Sequence, residues 1–262
     1  MVKWDANDYD KNSSAQRQWA RELIGKLNLS GSERLIDIGC GDGFITSEIA
    51  KMLPDGSAVG IDSSPEMIGF ALRRLVSDPV ENLTFKLADA REIDFENEFD
   101  VAFSNAALHW VKDNLPVLAG VGKALKSGGK ILFQMGGHGN ASGIFDVVVD
   151  VMVKKKWKGN FTGFSSPYRF YSTKEYEELL IRAGLKPVRV EMFPKDMSHD
   201  GSEGLAGWFR TTWLPFIERI PEEERENFVQ ECIGAYLAKH PLDAEGKTHT
   251  QMSRLEVEAV KP

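Results

Sequence analysis

An acid followed by three alternating glycines is the clearest chemical signal in this 262-residue sequence. Asp37 precedes Gly39, Gly41 and Gly43, and Cys40 lies within the same loop. Glycine permits a positive φ and a close approach of the backbone to a ligand, and a helix that begins after it offers unpaired N–H groups. The segment therefore predicts a binding site for a small molecule with anionic or strongly polar groups.

A second acid closes the next apolar stretch. Asp62 follows residues 57–61 and is itself followed by Ser63. A carboxylate at this position is suited to accept two hydrogen bonds from a ribose diol. Met67, in the helix that follows, is expected to give an adenine ring an apolar wall. These residues predict that the small molecule contains a nucleoside.

Polar residues also follow the third and fourth apolar stretches. Asp89 is suited to accept a hydrogen bond from an adenine amino group, and the backbone N–H of Ala90 to donate to a ring nitrogen. The alternative for Asp89 is a loop acid that pairs with Arg91. Asn105 follows residues 99–103 at the same predicted edge and is expected to contact the same ligand.

The glycine spacing separates two nucleoside cofactors. A dinucleotide fingerprint would place its third glycine at position 44, which is Phe44. An acid before the first glycine, here Asp37, suits a cationic ammonium group, which a pyrophosphate does not have. The pattern favours S-adenosylmethionine over NAD, with a dehydrogenase as the less favoured alternative.

Strands and helices are predicted to alternate from residue 34 to residue 135, which indicates a parallel sheet covered on both faces. The predicted strands are 34–38, 57–61, 83–87, 99–103 and 129–135, and the predicted helices between them are 44–53, 65–76 and 112–125. The carboxyl ends of parallel strands form one rim, where ligands bind. The glycine loop, Asp62, Asp89 and Asn105 all fall on that rim.

The remainder of the chain predicts an insertion near the end of the sheet. Helical spacing is found over 143–157 and 173–183, strand alternation over 186–193 and 253–260, and two more helices over 203–219 and 222–239. Because the last two strands are far apart in sequence, we interpret residues 196–250 as a helical substrate cap. The alternative is a dimerisation element.

The quoted loop, together with Gly60-Ile61-Asp62, Asp89-Ala90 and the segment 104–111, resembles class I S-adenosylmethionine-dependent methyltransferases, and most nearly the trans-aconitate methyltransferase group. The resemblance implies a Rossmann-like, seven-stranded, mostly parallel α/β sheet with helices on both faces. It divides the chain into an N-terminal lid helix (1–30), a core (31–195), the inserted cap (196–250) and a last core strand (251–262). The segment 9–16 is similar to the N-terminal segment of plant carboxyl methyltransferases.

Methyl transfer is an in-line displacement that depends on alignment and on exclusion of water. A carboxylate acceptor is already ionised and needs neutral hydrogen-bond donors rather than a base. Gln16 and Trp110 are such donors, and the plant resemblance implies the same pair. The alternative is that Gln16 is a solvated helix residue and that Trp110 is a hydrophobic lid over adenine.

His109 offers a different mechanism because an imidazole can act as a general base toward a hydroxyl, amine or carbon acceptor. Only Asp113 lies nearby in sequence to orient it, so a structural or cofactor-contacting role is preferred. A further alternative is a protein that binds S-adenosylmethionine without catalysis.

The substrate pocket is expected to come from Trp4, Tyr9, the 136–140 loop and the cap. Aromatic residues are concentrated in 157–171 and 208–213, which suits an apolar substrate. Arg169 and Arg210 would suit an additional carboxylate. The sequence does not choose between these two kinds of substrate.

Net charge, cysteine content and the lack of long apolar runs exclude several classes of partner. The net charge is −7 and Lys154–Lys156 is the longest basic run, so a nucleic-acid substrate is not expected. The two cysteines, Cys40 and Cys232, form no metal or disulfide motif, and no metal is expected. No signal peptide or membrane-spanning run is recognised, which predicts a cytoplasmic protein. The expected partner is a small molecule, in the first place a carboxylic acid, and the expected state is a monomer or homodimer.

Overall fold

A single seven-stranded sheet organises the chain. A computed structural model describes residues 14–262, with side chains from residue 19 onward. The strand order is β3-β2-β1-β4-β5-β7-β6. The strands are β1 (Arg34–Ile38), β2 (Ser57–Asp62), β3 (Leu83–Leu87), β4 (Phe99–Asn105), β5 (Leu125–Gly136), β6 (Lys186–Asp200) and β7 (Lys247–Val260).

The first five strands are parallel, and β7 runs antiparallel to both of its neighbours. The carboxyl ends of β1, β2 and β4 therefore meet on one rim, as predicted. The seven-stranded, mostly parallel Rossmann-like sheet is confirmed.

Nine α-helices surround the sheet in the described part of the chain. They are α1 (Ser14–Ile24), α2 (Phe44–Lys51), α3 (Pro65–Ser77), α4 (Leu115–Ala124), α5 (Ser142–Met152), α6 (Thr173–Arg182), α7 (Gly201–Thr212), α8 (Leu214–Ile217) and α9 (Arg225–Lys239). Short 3-10 helices cover Ala90–Glu92, Leu108–Trp110, Lys158–Phe161 and Glu222–Glu224.

Alternation along β1 builds two cores, one on each face of the sheet. Leu35 packs in a cluster with Leu23 of α1 and Ile49 of α2. Ile36 packs on the opposite face with Val117 of α4 and Leu180 of α6. Because successive side chains of a strand point to opposite faces, a strand covered on both sides is apolar at nearly every position.

The segment 201–246 contributes to a third core, which also includes Met197 of β6 and Met252 of β7. Leu205 and Phe209 of α7 pack with Phe228 and Ile233 of α9, and Val148 of α5 joins them. This cluster packs the helical insertion against α5 and the strands β6 and β7.

Several boundaries differ from the sequence prediction. Both β6 and β7 are longer than predicted because they pair with each other along their whole length, from Lys186 opposite Val260 to Asp200 opposite Lys247. The predicted helix 203–219 is interrupted at Trp213, since Pro215, which has no backbone N–H, lies in the first turn of a new helix. The predicted helix 112–125 begins only at Leu115, and β5 begins earlier than predicted, at Leu125. Within residues 14–262, no helix has the length and apolar character that a membrane crossing requires.

Candidate active site

The three glycines connect β1 to α2, all with positive φ, but they differ in surroundings. A Cβ built on Gly39 would lie 2.2 Å from Cβ of Ala107, so packing against Ala107 excludes a side chain there. A Cβ on Gly41 would meet no atom within 4 Å. Gly41 lines a large cavity, so its missing side chain leaves room for a ligand beside the backbone.

Asp37 lies beneath this loop and is 2 % exposed. Thr46 Oγ1 donates a hydrogen bond to its carboxylate at 2.7 Å. Burial raises the pKa of Asp37 to about 7, and the charge of Asp62 adds to that shift. Neither Asp37 nor Cys40 lines the cavity, so their predicted contact with the cofactor stays a prediction. The carboxylate is nonetheless placed where a nearby cation would favour its ionised form.

Asp62 fixes the loop against the end of β2. Its Oδ2 accepts from the Gly41 N–H at 3.0 Å and its Oδ1 from the Ser64 N–H at 2.8 Å. Burial raises its pKa, and these backbone hydrogen bonds oppose the shift. Asp62, Ser63 and Met67 all line the cavity. Their contact with a nucleoside stays a prediction.

Asp89 and Asn105 extend the same wall of the cavity. Arg91 binds both oxygens of the Asp89 carboxylate, at 2.9 and 2.5 Å, and lowers its pKa. Asp89 and Ala90 still line the cavity beside that pair. Oδ1 of Asn105 is buried and accepts no hydrogen bond from any residue whose side chain the structure describes. A buried oxygen of this kind is expected to be satisfied by a ligand.

The cavity has a volume of about 630 Å³ and runs from the glycine loop to β7 and the helical insertion. Its far end contains His109, which follows β4. The Gly136 N–H donates to Nδ1 of His109 at 3.4 Å. Burial, reinforced by the positive charge of Arg254, lowers the pKa of His109 to about 3. The imidazole is therefore neutral, and because Nδ1 is an acceptor its proton is on Nε2.

Aromatic rings form the wall next to His109. The rings of Trp110 and Tyr168 meet edge to face with centroids 4.6 Å apart, and Phe145 packs against Trp213 at 4.4 Å. The Tyr168 hydroxyl donates to the Thr212 carbonyl, which ties this wall to α7. Aromatic residues from four segments that are separate in sequence thus enclose the far end of the cavity.

The remaining predicted site residues fall outside the cavity or outside the described side chains. Arg169 pairs with Glu175 at 2.8 Å and Arg210 with Glu226 at 2.6 Å, and neither lines the cavity. Trp4 and Tyr9 lie outside the described residues. Gln16 belongs to α1, but its side chain is outside the described part; Trp19 of the same helix lines the cavity.

Arg254 on β7 is buried, at 4 % exposure, and lines the cavity, although it was not among the predicted site residues. It had a signal in the sequence, since it is a charged residue inside an alternating strand pattern. Trp208 on α7, at 5 % exposure, also lines the cavity, and it belongs to the aromatic segment 208–213 named for the substrate pocket.

Comparison with known proteins assigns this arrangement to a family. A family model described as a methyltransferase domain matches residues 29–182, which is more than half of the chain. The chain belongs to this methyltransferase family. The predicted S-adenosylmethionine-dependent methyltransferase is thereby confirmed, as is its cofactor.

Individual relatives cover almost the whole methyltransferase. It is 31 % identical to an uncharacterized methyltransferase of Schizosaccharomyces pombe, with 98 % of each chain aligned. It is 27 % identical to a trans-aconitate 2-methyltransferase of Methylobacterium nodulans over 97 % of each chain. A phosphoethanolamine N-methyltransferase from Haemonchus contortus has the same fold, with a TM-score of 0.62 and 20 % identity over 98 % of this chain and 57 % of that one.

Proposed function

We propose that this methyltransferase esterifies the carboxylate of a small acid. The observation that carries the proposal is the state of His109. Burial lowers its pKa to about 3 and its Nδ1 already accepts the Gly136 N–H, so His109 is poorly suited to take a proton from an acceptor near neutral pH. A hydroxyl or amine acceptor needs a base near neutral pH, whereas a carboxylate does not. The relatives named as trans-aconitate 2-methyltransferases, which align over nearly the full chain, favour the same acceptor.

The cofactor fits the end of the cavity nearest the glycine loop. Asp62 would bind the ribose, Met67 would pack on the adenine, and Ala90 with Asp89 would face its edge. The buried Oδ1 of Asn105 offers an acceptor on the same side. S-adenosylmethionine supplies a methyl group on a positively charged sulfur. Asp37 and Asp62 lie close to this end of the cavity; burial raises the pKa of both carboxyl groups, and the sulfonium charge would favour their ionised forms.

The residues at the far end of the cavity would orient the acceptor. A carboxylate oxygen forms a bond to the methyl carbon while the carbon–sulfur bond breaks and its electron pair stays on sulfur. Trp110 and the Nε2–H of His109 offer neutral donors, which hold a carboxylate without lowering its nucleophilicity as a tight ion pair would. Gln16 precedes Trp19 by three positions in α1, and positions with this spacing share one face of a helix. Alignment of this kind can supply much of the rate acceleration.

The lid and cap assignments are part of the same proposal. Trp19 of α1 lines the cavity, which supports a lid role for the N-terminal segment. Trp208, Thr212 and Trp213 from the insertion line it as well, which supports a substrate cap rather than a dimerisation element alone. Together these aromatic residues would exclude water from the reacting atoms.

The decisive experiment is product analysis. The purified methyltransferase is incubated with methyl-labelled S-adenosylmethionine and a panel of acids, phenols and amines, and the products are analysed by mass spectrometry. We expect labelled products from acids only, and mild alkali should release the label because it hydrolyses esters. Label that is stable to alkali on a phenol, amine or carbon centre would instead support His109 as a base.

A further inference from the structure

The loop between β4 and α4, residues 106–114, carries the two residues proposed to orient the acceptor, His109 and Trp110. Both line the cavity from a 3-10 turn of only three residues, Leu108–Trp110. The turn is closed by backbone hydrogen bonds of 3.0 and 3.1 Å. A turn this short has little stability of its own. The positions of both side chains therefore depend on what holds the rest of the loop.

Asn114, the last residue of this loop, holds it from the side away from the cavity. The residue is 0 % exposed and does not line the cavity. Its Nδ2 donates to the Val111 carbonyl at 2.7 Å and to the Leu108 carbonyl at 3.1 Å. These two carbonyls flank His109 and Trp110 in the chain. One amide group thus fixes the backbone on both sides of the two cavity residues.

Two buried tyrosines complete the hydrogen bonding of Asn114. The Tyr176 hydroxyl of α6 donates to its Oδ1 at 3.1 Å, and the Asn114 N–H donates to the Tyr171 hydroxyl at 3.3 Å. Tyr171 in turn donates to the Lys112 carbonyl at 2.9 Å. Burial raises the pKa of Tyr176, so its hydroxyl remains a donor at neutral pH. A buried polar network with its partners satisfied is rigid and specifies one arrangement.

The orientation of the Asn114 side chain is not that of a helix cap. Asn114 occupies the N-cap position of α4, where an asparagine oxygen ordinarily accepts from a backbone N–H of the first turn. Its Oδ1 accepts no such bond from α4, all of which the structure describes. Asp113 accepts from the Leu115 N–H instead, at 3.0 Å, and Pro116 has no N–H to donate. The Asn114 amide therefore serves the loop and the tyrosines rather than the helix.

We propose that Asn114 is a positioning residue for methyl transfer: held by Tyr171 and Tyr176, it fixes the loop that presents His109 and Trp110 to the acceptor. In-line displacement depends on alignment, and a displacement of about 1 Å caused by a remote mutation can lower the rate about 10²-fold. The inference rests on the proposed function in so far as His109 and Trp110 contact the acceptor. It does not require that the acceptor is a carboxylate.

The first test compares Asn114→Ser with a matched control, Asn82→Ser. Asn82 also holds a turn, since its Nδ2 donates to three backbone carbonyls, and it does not line the cavity. Both substitutions remove an amide that supports backbone, so both should lower Tm. Only Asn114→Ser should lower kcat, by at least tenfold. The affinity for S-adenosylhomocysteine should stay within about threefold of the wild type in both variants. Steady-state kinetics are measured on the best acid substrate at a temperature where every variant is folded.

Tyr176→Phe disturbs the same network with less risk to folding, because it removes one hydroxyl and keeps the ring. Oδ1 of Asn114 loses its donor, so kcat should fall several-fold, which is less than in Asn114→Ser. Tyr236→Phe is the matched control. Tyr236 is also buried, its hydroxyl donates to the His249 carbonyl at 2.7 Å, and it does not line the cavity. Tyr236→Phe should have wild-type kcat.

A double-mutant cycle tests whether Asn114 acts through the loop. Trp110→Phe removes the donor that Asn114 is proposed to position, so adding Asn114→Ser should lower kcat by less than threefold more. Trp157→Phe is the control partner, because Nε1 of Trp157 donates to Glu231 and the residue does not line the cavity. In the Trp157→Phe background, Asn114→Ser should have its full effect on kcat.

Hydrogen exchange measures the loop without turnover. Backbone amides of residues 106–113 are followed by mass spectrometry in the complex with S-adenosylhomocysteine. Exchange in this segment should be faster in Asn114→Ser and Tyr176→Phe than in the wild type, and unchanged in Asn82→Ser. If no acid is methylated, the proposed carboxylate function fails. The kinetic tests of Asn114 then use the acceptor that the product analysis identifies.

Three kinetic outcomes would overturn the proposal. They are wild-type kcat in Asn114→Ser, equal losses of kcat in Asn114→Ser and Asn82→Ser, and, where Trp110→Phe and Asn114→Ser each lose kcat, a double variant that shows the product of the two losses. Unchanged exchange in residues 106–113 would contradict the proposal for any acceptor. Wild-type kcat in Trp110→Phe would instead refute the proposed donor role of Trp110, and the comparison with Asn82→Ser would then decide the role of Asn114.

Discussion

The Gly136 N–H donates to Nδ1 of His109 across 3.4 Å, at the point where β5 ends beside the loop after β4. This contact assigns the imidazole proton to Nε2, while burial and the Arg254 charge lower the pKa of His109 to about 3. His109 is therefore a neutral hydrogen-bond donor in the described site. Strand pairing determines this property, because β5 lies directly beside β4.

The first prediction concerns stability at acidic pH. The pKa of His109 is about 3 in the folded chain and about 6.5 when unfolded, so the unfolded state binds more protons between these values. The stabilising effect of a neutral His109 is complete above pH 6.5 and is lost as pH falls toward 3. His109→Asn should reduce the fall in Tm between pH 7.5 and pH 5.

Scanning fluorimetry at several pH values measures this change. His138→Asn replaces an exposed histidine close by and should leave the pH dependence as in the wild type. Part of the fall in Tm with decreasing pH should persist in His109→Asn, because burial also lowers the pKa of His199 to about 4. Identical slopes for wild type and His109→Asn would contradict the neutral assignment.

The second prediction distinguishes two roles of His109, that of a hydrogen-bond donor and that of a general base. Asn keeps an N–H donor but cannot take up a proton, so His109→Asn should retain kcat within about tenfold. Loss of a general base typically lowers the rate by about 10²–10⁴-fold. Steady-state kinetics on the best acid substrate measures the difference, and a loss in the larger range would favour the base mechanism.

The third prediction uses the different surroundings of the loop glycines. Gly41→Ala should fold, with a strain of roughly 1–2 kcal/mol from its positive φ, and should bind S-adenosylhomocysteine at least tenfold more weakly. Gly39→Ala should be destabilised far more, because its Cβ would collide with Cβ of Ala107. Calorimetric titration and thermal unfolding measure both effects.

Gly163→Ala is the control for Gly41→Ala. Gly163 also has a positive φ, 70°, and a Cβ there would meet no atom within 4 Å, but it does not line the cavity. It should show the same strain with unchanged affinity for S-adenosylhomocysteine. Equal affinities of the wild type, Gly41→Ala and Gly163→Ala for S-adenosylhomocysteine would show that Gly41 does not face the cofactor.

The fourth prediction tests the two proposed carboxylate donors. Trp110→Phe and Gln16→Met each remove an N–H while preserving much of the side-chain volume. Each should lower kcat for an acid substrate at least tenfold and leave the affinity for S-adenosylhomocysteine within about threefold. Trp157→Phe and Gln18→Met are matched controls and should have wild-type kcat. Wild-type turnover in both test variants would contradict the proposed roles.

The predicted strand ends are correct where the apolar run in the sequence ends with the strand. They are wrong where pairing with a long neighbouring strand extends the strand beyond that run. The predicted strands 34–38 and 83–87 agree with β1 and β3 at both ends. By contrast, β6 was predicted to end at residue 193 and extends to Asp200, because the long β7 continues to pair with it. The added residues are not uniformly apolar, so no local pattern marked them as strand.

The sequence by itself determined the family, the sheet and the cofactor, because the glycine loop and its acids lie within short segments whose geometry is local. Only the tertiary structure decided which residues meet at the far end of the cavity. Trp19, Trp208 and Arg254 come from a helix, an insertion and a strand far apart in sequence, and they meet because β7 is inserted between β5 and β6. Residue type alone made Arg169 and Arg210 suitable for binding a substrate carboxylate, but each is paired with a glutamate and does not line the cavity.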